Sequence, residues 1–148
     1  MGTASLSLRR ADGEAMAYVE TLLERNGLPS SALRATPGRF YVGYHGDSRV
    51  GIGGIERYGT DGLLRSVVIA RAARGNGFGR ALCEALERRA HADGVETLYL
   101  LTTTAADFFE ALDYEAIERA AAPETIRQTT EFADICPSTA TCMRKRLR

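Results

Sequence analysis

The 148-residue sequence has no surplus of charge of either sign. Nineteen Lys and Arg residues face nineteen Asp and Glu residues, for a formal net charge of zero. That balance argues against a nucleic-acid surface or a strongly anionic macromolecular partner, both of which draw on a basic excess. No apolar run approaches the ~18 residues of a membrane span and there is no signal-peptide pattern, so no membrane partner is expected. Cysteine is sparse. Cys83, Cys136 and Cys142 make an odd number without framework spacing and without a C-x-x-C pair, which excludes a disulfide scaffold and fits a reducing, cytoplasmic setting. Linkers, repeats and low-complexity segments are lacking as well. What is present is ordinary for a globular chain, with 45% hydrophobic and 26% charged residues. The length suits one domain, residues 1–148, with a full core.

The most informative stretch is residues 63–89. It begins LLRSVVIA, a short apolar run rich in β-branched residues that predicts a buried strand. It ends with Ala81, Leu82, Ala85, Leu86 and Ala90 at helical spacing, opposite Arg80, Glu84, Glu87 and Arg88, which predicts an amphipathic helix. Between them lies Arg74-Gly75-Asn76-Gly77-Phe78-Gly79. Three glycines let the backbone turn tightly and gather bare amide N–H groups at a helix N-terminus, where the dipole favours an anion. Arg74 adds a positive charge. The expectation is a cradle for a diphosphate. A nucleotide P-loop needs Gly-Lys-Ser/Thr at its end, and here Gly79 is followed by Arg80 and Ala81. The dinucleotide fingerprint G-x-G-x-x-G fails too, because the glycines fall at 75, 77 and 79.

The rest of the chain reads as a mixed α/β pattern. A strand is expected at Leu6 and Leu8. A helix follows, capped by Asp12, striped with Ala15, Met16, Val19, Leu22 and Leu23, and closed by Gly27 and Pro29. A short helix is expected over 30–33. Strands over 40–44 and 50–57 join at the turn Gly46-Asp47, and a second turn over 59–62 leads into the central strand. Asp93-Gly94 closes the long helix, and 95–101 is a strongly apolar strand. Thr102, Thr103 or Thr104 can cap a helix carrying Ala105, Phe108, Phe109 and Leu112. A strand over 114–117, a long loop over 120–139 with a helix inside it over 123–132, and an edge strand over 140–146 complete the chain. The basic residues 144–148 read as a solvated chain end.

Strand, R-x-x-G-x-G turn and helix together resemble the acyl-CoA site of the GNAT N-acetyltransferase superfamily, and the element order resembles that fold over nearly the whole chain. The resemblance implies a mostly antiparallel mixed sheet flanked by helices, with the strands at Leu63 and Val95 splayed apart. It also implies acetyl-CoA as cosubstrate. Val67, Val68 and Ile69 would hold its pantetheine arm and acetyl carbonyl through backbone amides. Arg74, Gly75, Asn76, Gly77, Phe78 and Gly79 would hold its diphosphate, with Thr102 across the opening. The segment Leu100-Leu101-Thr102-Thr103-Thr104-Ala105-Ala106-Asp107-Phe108-Phe109, with Ala122 to Arg127, Thr130-Glu131-Phe132 and Cys136-Pro137-Ser138, is similar to the arsenic-resistance N-acetyltransferase subfamily. The first of these segments is also similar to the acetyltransferase domain of N-acetylglutamate synthases. An acetyl transfer to a small amine is therefore implied, with the amine unspecified and monomer or homodimer left open.

Attack on a thioester needs a neutral amine. At pH 7 an α-amine costs about 1.4 kcal/mol to deprotonate and a lysine about 4.6 kcal/mol, so a carboxylate base helps either. Glu56, at the end of the strand before the central one, is the candidate, because GNAT enzymes often carry a base there. The tyrosine that often serves these enzymes as general acid aligns with Phe109, which has no proton to give. Asp113 replaces a glycine of the family pattern and is one of the few residues that tolerate a left-handed turn. Arg65 and Arg127 are candidates for a substrate carboxylate, and Arg65 is equally a candidate partner for Glu56. Cys136 and Cys142 invite a metalloid-thiolate reading, though cysteine is commonly a small core residue. His45 and His91 carry no assigned role. The competing reading is a non-catalytic acyl-CoA-binding or regulatory module, since Phe109 lacks the acid; a metalloid-binding protein is the second.

Overall fold

A computed structural model describes residues 6–11, 14–26, 39–75, 77–129, 132 and 140–147. Two glycine turns organise its first half. Gly46 (φ 62°) and Gly59 (φ 65°) take the left-handed conformation that tight reversals need. They fold β2 (Arg39–His45), β3 (Ser48–Tyr58) and β4 (Asp61–Ile69) into an antiparallel meander, and β1 (Ser7–Arg10) adds to its outer edge. Helix α2 (Phe78–Ala92) then carries the chain over the sheet, so β5 (Thr97–Thr102) lies parallel to β4, as a helical crossover requires. A short helix α3 (Ala106–Glu110), strand β6 (Glu115–Ile117), one helical turn α4 (Glu124–Arg127) and strand β7 (Thr141–Arg146) follow. The sheet order is β1-β2-β3-β4-β5-β7-β6. It is antiparallel except at β4–β5, a mixed α/β sheet flanked by helices, as expected.

Alternation along the strands sorts the core onto two faces. On one, Leu82 and Leu86 of α2 pack with Tyr41, Ile55, Leu64, Leu98, Leu100 and Met143. On the other, helix α1 (Glu14–Arg25) sets Val19, Leu22 and Leu23 against Phe40, Val42, Ile52 and Val68. Beside that second cluster, Ile126 of α4 and Phe132 cover Leu63, Tyr99 and Cys142. The glycines of β3 let α2 and β4 come this close. A β-carbon on Gly51 would stand 2.6 Å from the Val68 carbonyl oxygen, and one on Gly53 would stand 2.4 Å from Leu86 Cδ1.

Several expectations need correction. The strand expected over 95–101 runs Thr97–Thr102; Val95 is buried, but its N–H closes the end of α2 on the Ala90 carbonyl at 2.9 Å. The turn expected over 59–62 is shorter, because β4 already begins at Asp61. Among the described residues up to 129, the helix expected over 123–132 is the single turn α4. Thr129 Oγ1 donates to the Ile126 carbonyl at 2.7 Å and accepts from Phe132 N at 3.3 Å, a side-chain capture of backbone groups that competes with helix. The last strand is not an edge, since β6 pairs on its outer side. Nor do residues 144–147 trail into solvent. Arg144 Nε bonds Glu115 Oε1 at 2.7 Å, Lys145 Nζ bonds Glu87 Oε1 at 2.7 Å, and Leu147 is buried. Glu87, expected on the polar face of α2, is buried and also accepts from Tyr114 Oη at 3.1 Å. Asp113 takes the left-handed conformation expected of it, at φ 75°. The expected Asp12 cap, the Gly27–Pro29 stop, the helix over 30–33 and Cys136 fall outside the described residues.

Candidate active site

Strand β4 changes character halfway along. Ile52 faces Val68 and Gly54 faces Arg65, so Ser66 and Val67 together oppose the single residue Gly53. Ser66 sits at φ 55°, a conformation costly for a residue with a side chain. This is a β-bulge, which bends the strand and interrupts the ladder locally before pairing with β3 resumes at Val68 and Ile69. On the other edge of β4, pairing with β5 covers only Asp61–Leu63 against Thr97–Tyr99. From Leu64 onward the two strands part, as the splayed-pair expectation required. The opening faces backbone of Val67, Val68 and Ile69 on one side and the end of β5 on the other. Val68 is buried under α1, while Val67 and Ile69 are half-buried toward α2. At the end of β5, Thr102 Oγ1 accepts from Ala105 N at 3.0 Å and so braces the approach to α3.

The glycine turn lies at the open end of β4. A 3₁₀ turn at Arg71–Ala73 leads to Arg74, Gly75 has φ 83°, and Gly77 has φ 77° as the residue that starts α2. A β-carbon on Gly75 or Gly77 would meet nothing within 4 Å, so the space over these backbones is open where the sequence predicted an anion. The Arg74 guanidinium ties the turn down. Its Nε donates to the Ile69 carbonyl at 3.1 Å and its Nη2 to Asn26 Oδ1 at 2.9 Å. The Phe78 side chain points inward, buried, with its ring 5.1 Å from that of His45. Phe78 thus anchors the turn and offers a ligand only its backbone. Phe108 of α3 is the large hydrophobic side chain left exposed among the described residues, and its ring lies beside Gly79. Asn76 lies outside the described residues.

Next to the bulge, on the face covered by α1 and α4, sits a buried charged group. Glu56 is 1% exposed and Arg65 4%. Arg65 Nη1 donates to Glu56 Oε2 at 2.6 Å, and its guanidinium lies 5.5 Å from the centre of the Phe40 ring. The other carboxylate oxygen, Oε1, accepts from the hydroxyl of Tyr58. Burial, then the hydrogen bond and charge of Glu56, push the Tyr58 phenol well above its usual range, with Arg65 opposing them. The phenol therefore stays a donor at every physiological pH. An ion pair this dry is costly to break, because removing one partner would strand the other's charge.

The two residues named from sequence as candidate partners, Glu56 and Arg65, are thus brought together. Arg127 stands apart on α4, exposed, with Nε donating to the Ala122 carbonyl at 3.0 Å. Phe109 is buried in edge-to-face contact with Phe108 and Tyr114, so that position presents no proton donor. Sequence reasoning missed Tyr58 and Phe40. The signal for Tyr58 was available: residues i and i+2 of a strand share a face, which puts Tyr58 beside Glu56. The bulge at Ser66 left no signal. A further cavity of about 750 Å³ opens on the α2 side, lined by Glu84, Glu87, Arg88, His91, Arg144 and Lys145 among others. Its buried acid Glu87 is already paired.

A family model described as an acetyltransferase (GNAT) domain matches residues 36–116, more than half the chain. N-alpha-acetyltransferase 80 of Mus musculus is 45% identical over 53 residues, a match spanning 36% of this chain and 17% of that protein. N-acetylglutamate synthase from Neisseria gonorrhoeae, solved with coenzyme A and N-acetyl-glutamate, superposes with a TM-score of 0.80 at 18% identity, over 98% of this chain and 36% of that one. Rv2747 from Mycobacterium tuberculosis, solved in complex with CoA, superposes with a TM-score of 0.78 at 20% identity, over 96% of this chain and 99% of that one. The chain thus spans under a fifth of the mouse relative and about a third of the synthase, and at these identities the solved structures establish the fold.

Proposed function

The chain belongs to the GNAT acetyltransferase family, and on that premise we propose that it moves the acetyl group of acetyl-CoA onto the nitrogen of a small amine, the acceptor being a free α-amine on a compact, carboxylate-bearing molecule. The observation that carries this reading is the buried Glu56–Arg65 pair set beside the bulge of β4. It places one anion and one cation next to the strand where the acetyl group would lie. The glycine turn at residues 74–79 takes the diphosphate, and the amides of Val67, Val68 and Ile69 take the pantetheine arm and the acetyl oxygen, with Thr102 on the opposite wall. Glu56 accepts the ammonium proton, directly or through water, which frees the nitrogen lone pair for attack. Arg65 meets the acceptor's carboxylate, as guanidinium groups do well, while Arg127, apart on α4, keeps its contact with the Ala122 carbonyl. Phe109 gives no proton, so the thiolate leaves to water; a thiol pKa of about 8.5 makes that tolerable near neutrality.

Two neighbours lend support. The N-acetylglutamate synthase was solved with an acetylated amino acid, and both it and Rv2747 were solved with coenzyme A. Residues 100–109 and 122–138 further support a place in the arsenic-resistance branch of the family, in a cytoplasmic setting. The test is free-thiol release from acetyl-CoA across amino acids, their analogues, polyamines and lysine peptides. Turnover is expected on an amino-acid-like acceptor, lowered about 10²–10⁴-fold by Glu56→Gln with acetyl-CoA affinity unchanged. Better turnover on lysine peptides or polyamines would overturn the acceptor. Wild-type turnover by the Glu56→Gln enzyme would overturn the base, and no turnover on any amine would leave a binding module.

A further inference from the structure

The ion pair poses a problem for any acceptor that carries a carboxylate. Arg65 is spoken for: its Nη1 lies 2.6 Å from Glu56 Oε2, with both side chains almost wholly buried. If an incoming carboxylate draws on Arg65, Glu56 loses part of its counter-charge at the moment it must receive a proton. A buried carboxylate deprived of its partner costs much or swings away. The structure supplies a second hold. Tyr58 lies two residues along β3, on the same face as Glu56, and its hydroxyl donates to the oxygen that Arg65 does not use. Tyr58 packs against the cluster that contains Leu63, Tyr99 and Ile126, a hold on its ring that does not pass through Arg65.

We propose that Tyr58 is a positioning residue that locks Glu56 through Oε1, so that Arg65 can turn to the acceptor's carboxylate without releasing the base. This inference rests on the acetyltransferase reading and on Glu56 as its base. The lock matters only when Arg65 is drawn off. For an amine with no carboxylate, Arg65 stays on Glu56 and the hydroxyl of Tyr58 is redundant. The effect of losing it therefore depends on the acceptor, which a merely structural role would not produce.

The experiment compares an α-amino acid acceptor with its decarboxylated amine, in the wild type and in Tyr58→Phe, which keeps the ring and removes the hydroxyl. Calorimetric affinity for acetyl-CoA within about twofold of wild type certifies the fold of the variant. Tyr58→Phe should lower kcat on the amino acid about tenfold or more, the scale of one hydrogen bond to a charged group. On the decarboxylated amine kcat should change less than about threefold. In the Glu56→Gln background Tyr58→Phe should add nothing, because the two act as a unit. Equal slowing on both acceptors, or no slowing on the amino acid, overturns the lock while leaving the base reading intact. A Glu56→Gln enzyme of wild-type speed removes the base, and the lock with it.

Discussion

At Gly79, holding a fold and holding a ligand can be separated by one methyl group. Gly79 lies in the first turn of α2, with no left-handed φ, and a β-carbon there would meet the Phe108 ring at 3.5 and 3.6 Å, ordinary contact. Alanine should therefore fit, and helix propensity favours it by about 1 kcal/mol. On the proposed reading, the same methyl would stand at the cradle that a diphosphate approaches. Gly79→Ala is expected to unfold in urea no earlier than wild type, yet to bind acetyl-CoA about tenfold or more weakly by calorimetry. Unchanged affinity would remove the cradle from the site. The turn before α2 was legible, because closely spaced glycines between an apolar strand and an amphipathic helix ask for left-handed backbone, as Gly75 and Gly77 adopt. The Glu56–Arg65 pair was legible as one of two options for Arg65. Tyr58 was passed over because a strand tyrosine reads as packing until its carboxylate neighbour is placed.

Among the elements, β3 and β4 show what spacing alone conveys and what it hides. Their extents and antiparallel pairing follow from apolar runs between glycine turns. Their irregularity does not, since the bulge at Ser66 depends on register, which forms only between strands. Helix α4 shows the opposite failure: a helix was expected over 123–132, but the Thr129 hydroxyl captures the Ile126 carbonyl where α4 ends at Arg127. The same pair of strands yields a test of the element. Gly51 lets β3 run beside the far half of β4, where a β-carbon would press on the Val68 carbonyl oxygen at 2.6 Å and Ile69 Cδ1 at 2.9 Å. The first of these is backbone and cannot rotate away. Gly51→Ala should lower unfolding free energy by about 1–3 kcal/mol, the usual cost of overpacking. By displacing Val68 and Ile69 it should also weaken acetyl-CoA binding in whatever fraction stays folded. A variant with wild-type urea midpoint would show that β4 can yield there, and that its path beyond the bulge is not set by β3.

For the molecule as a whole, α2 would join the proposed ligand end to the core, because its first turn belongs to the proposed cradle and its inner face covers the sheet. That face and its core neighbours include groups that resist ionisation. Cys83 is fully buried, and burial first, then the charges of Glu87 and Glu84, push its thiol up to about 12. The Tyr114 phenol is raised from its ordinary value by burial first and by Glu87, to which it also donates a hydrogen bond. In the unfolded chain the thiol would titrate near 9.0 and the phenol near 10.0. Both folded values lie above the unfolded ones, so the folded state keeps protons that the unfolded state has lost. Their contribution is fully present below about pH 9 and is lost as pH climbs through the window toward 12, at about 1.4 kcal/mol per pH unit for each group. Urea midpoints should therefore fall steeply between about pH 9 and pH 11, and the cradle should fail with them, because α2 cannot leave the sheet and still present its N-terminus. Pairing Cys83→Ala with Tyr114→Phe should cost stability near neutrality, through a small cavity and a lost hydrogen bond, yet flatten the alkaline slope. A wild-type midpoint level from about pH 8 to pH 11 would mean that these groups reach water without unfolding, and that α2 is seated more loosely than its packing implies.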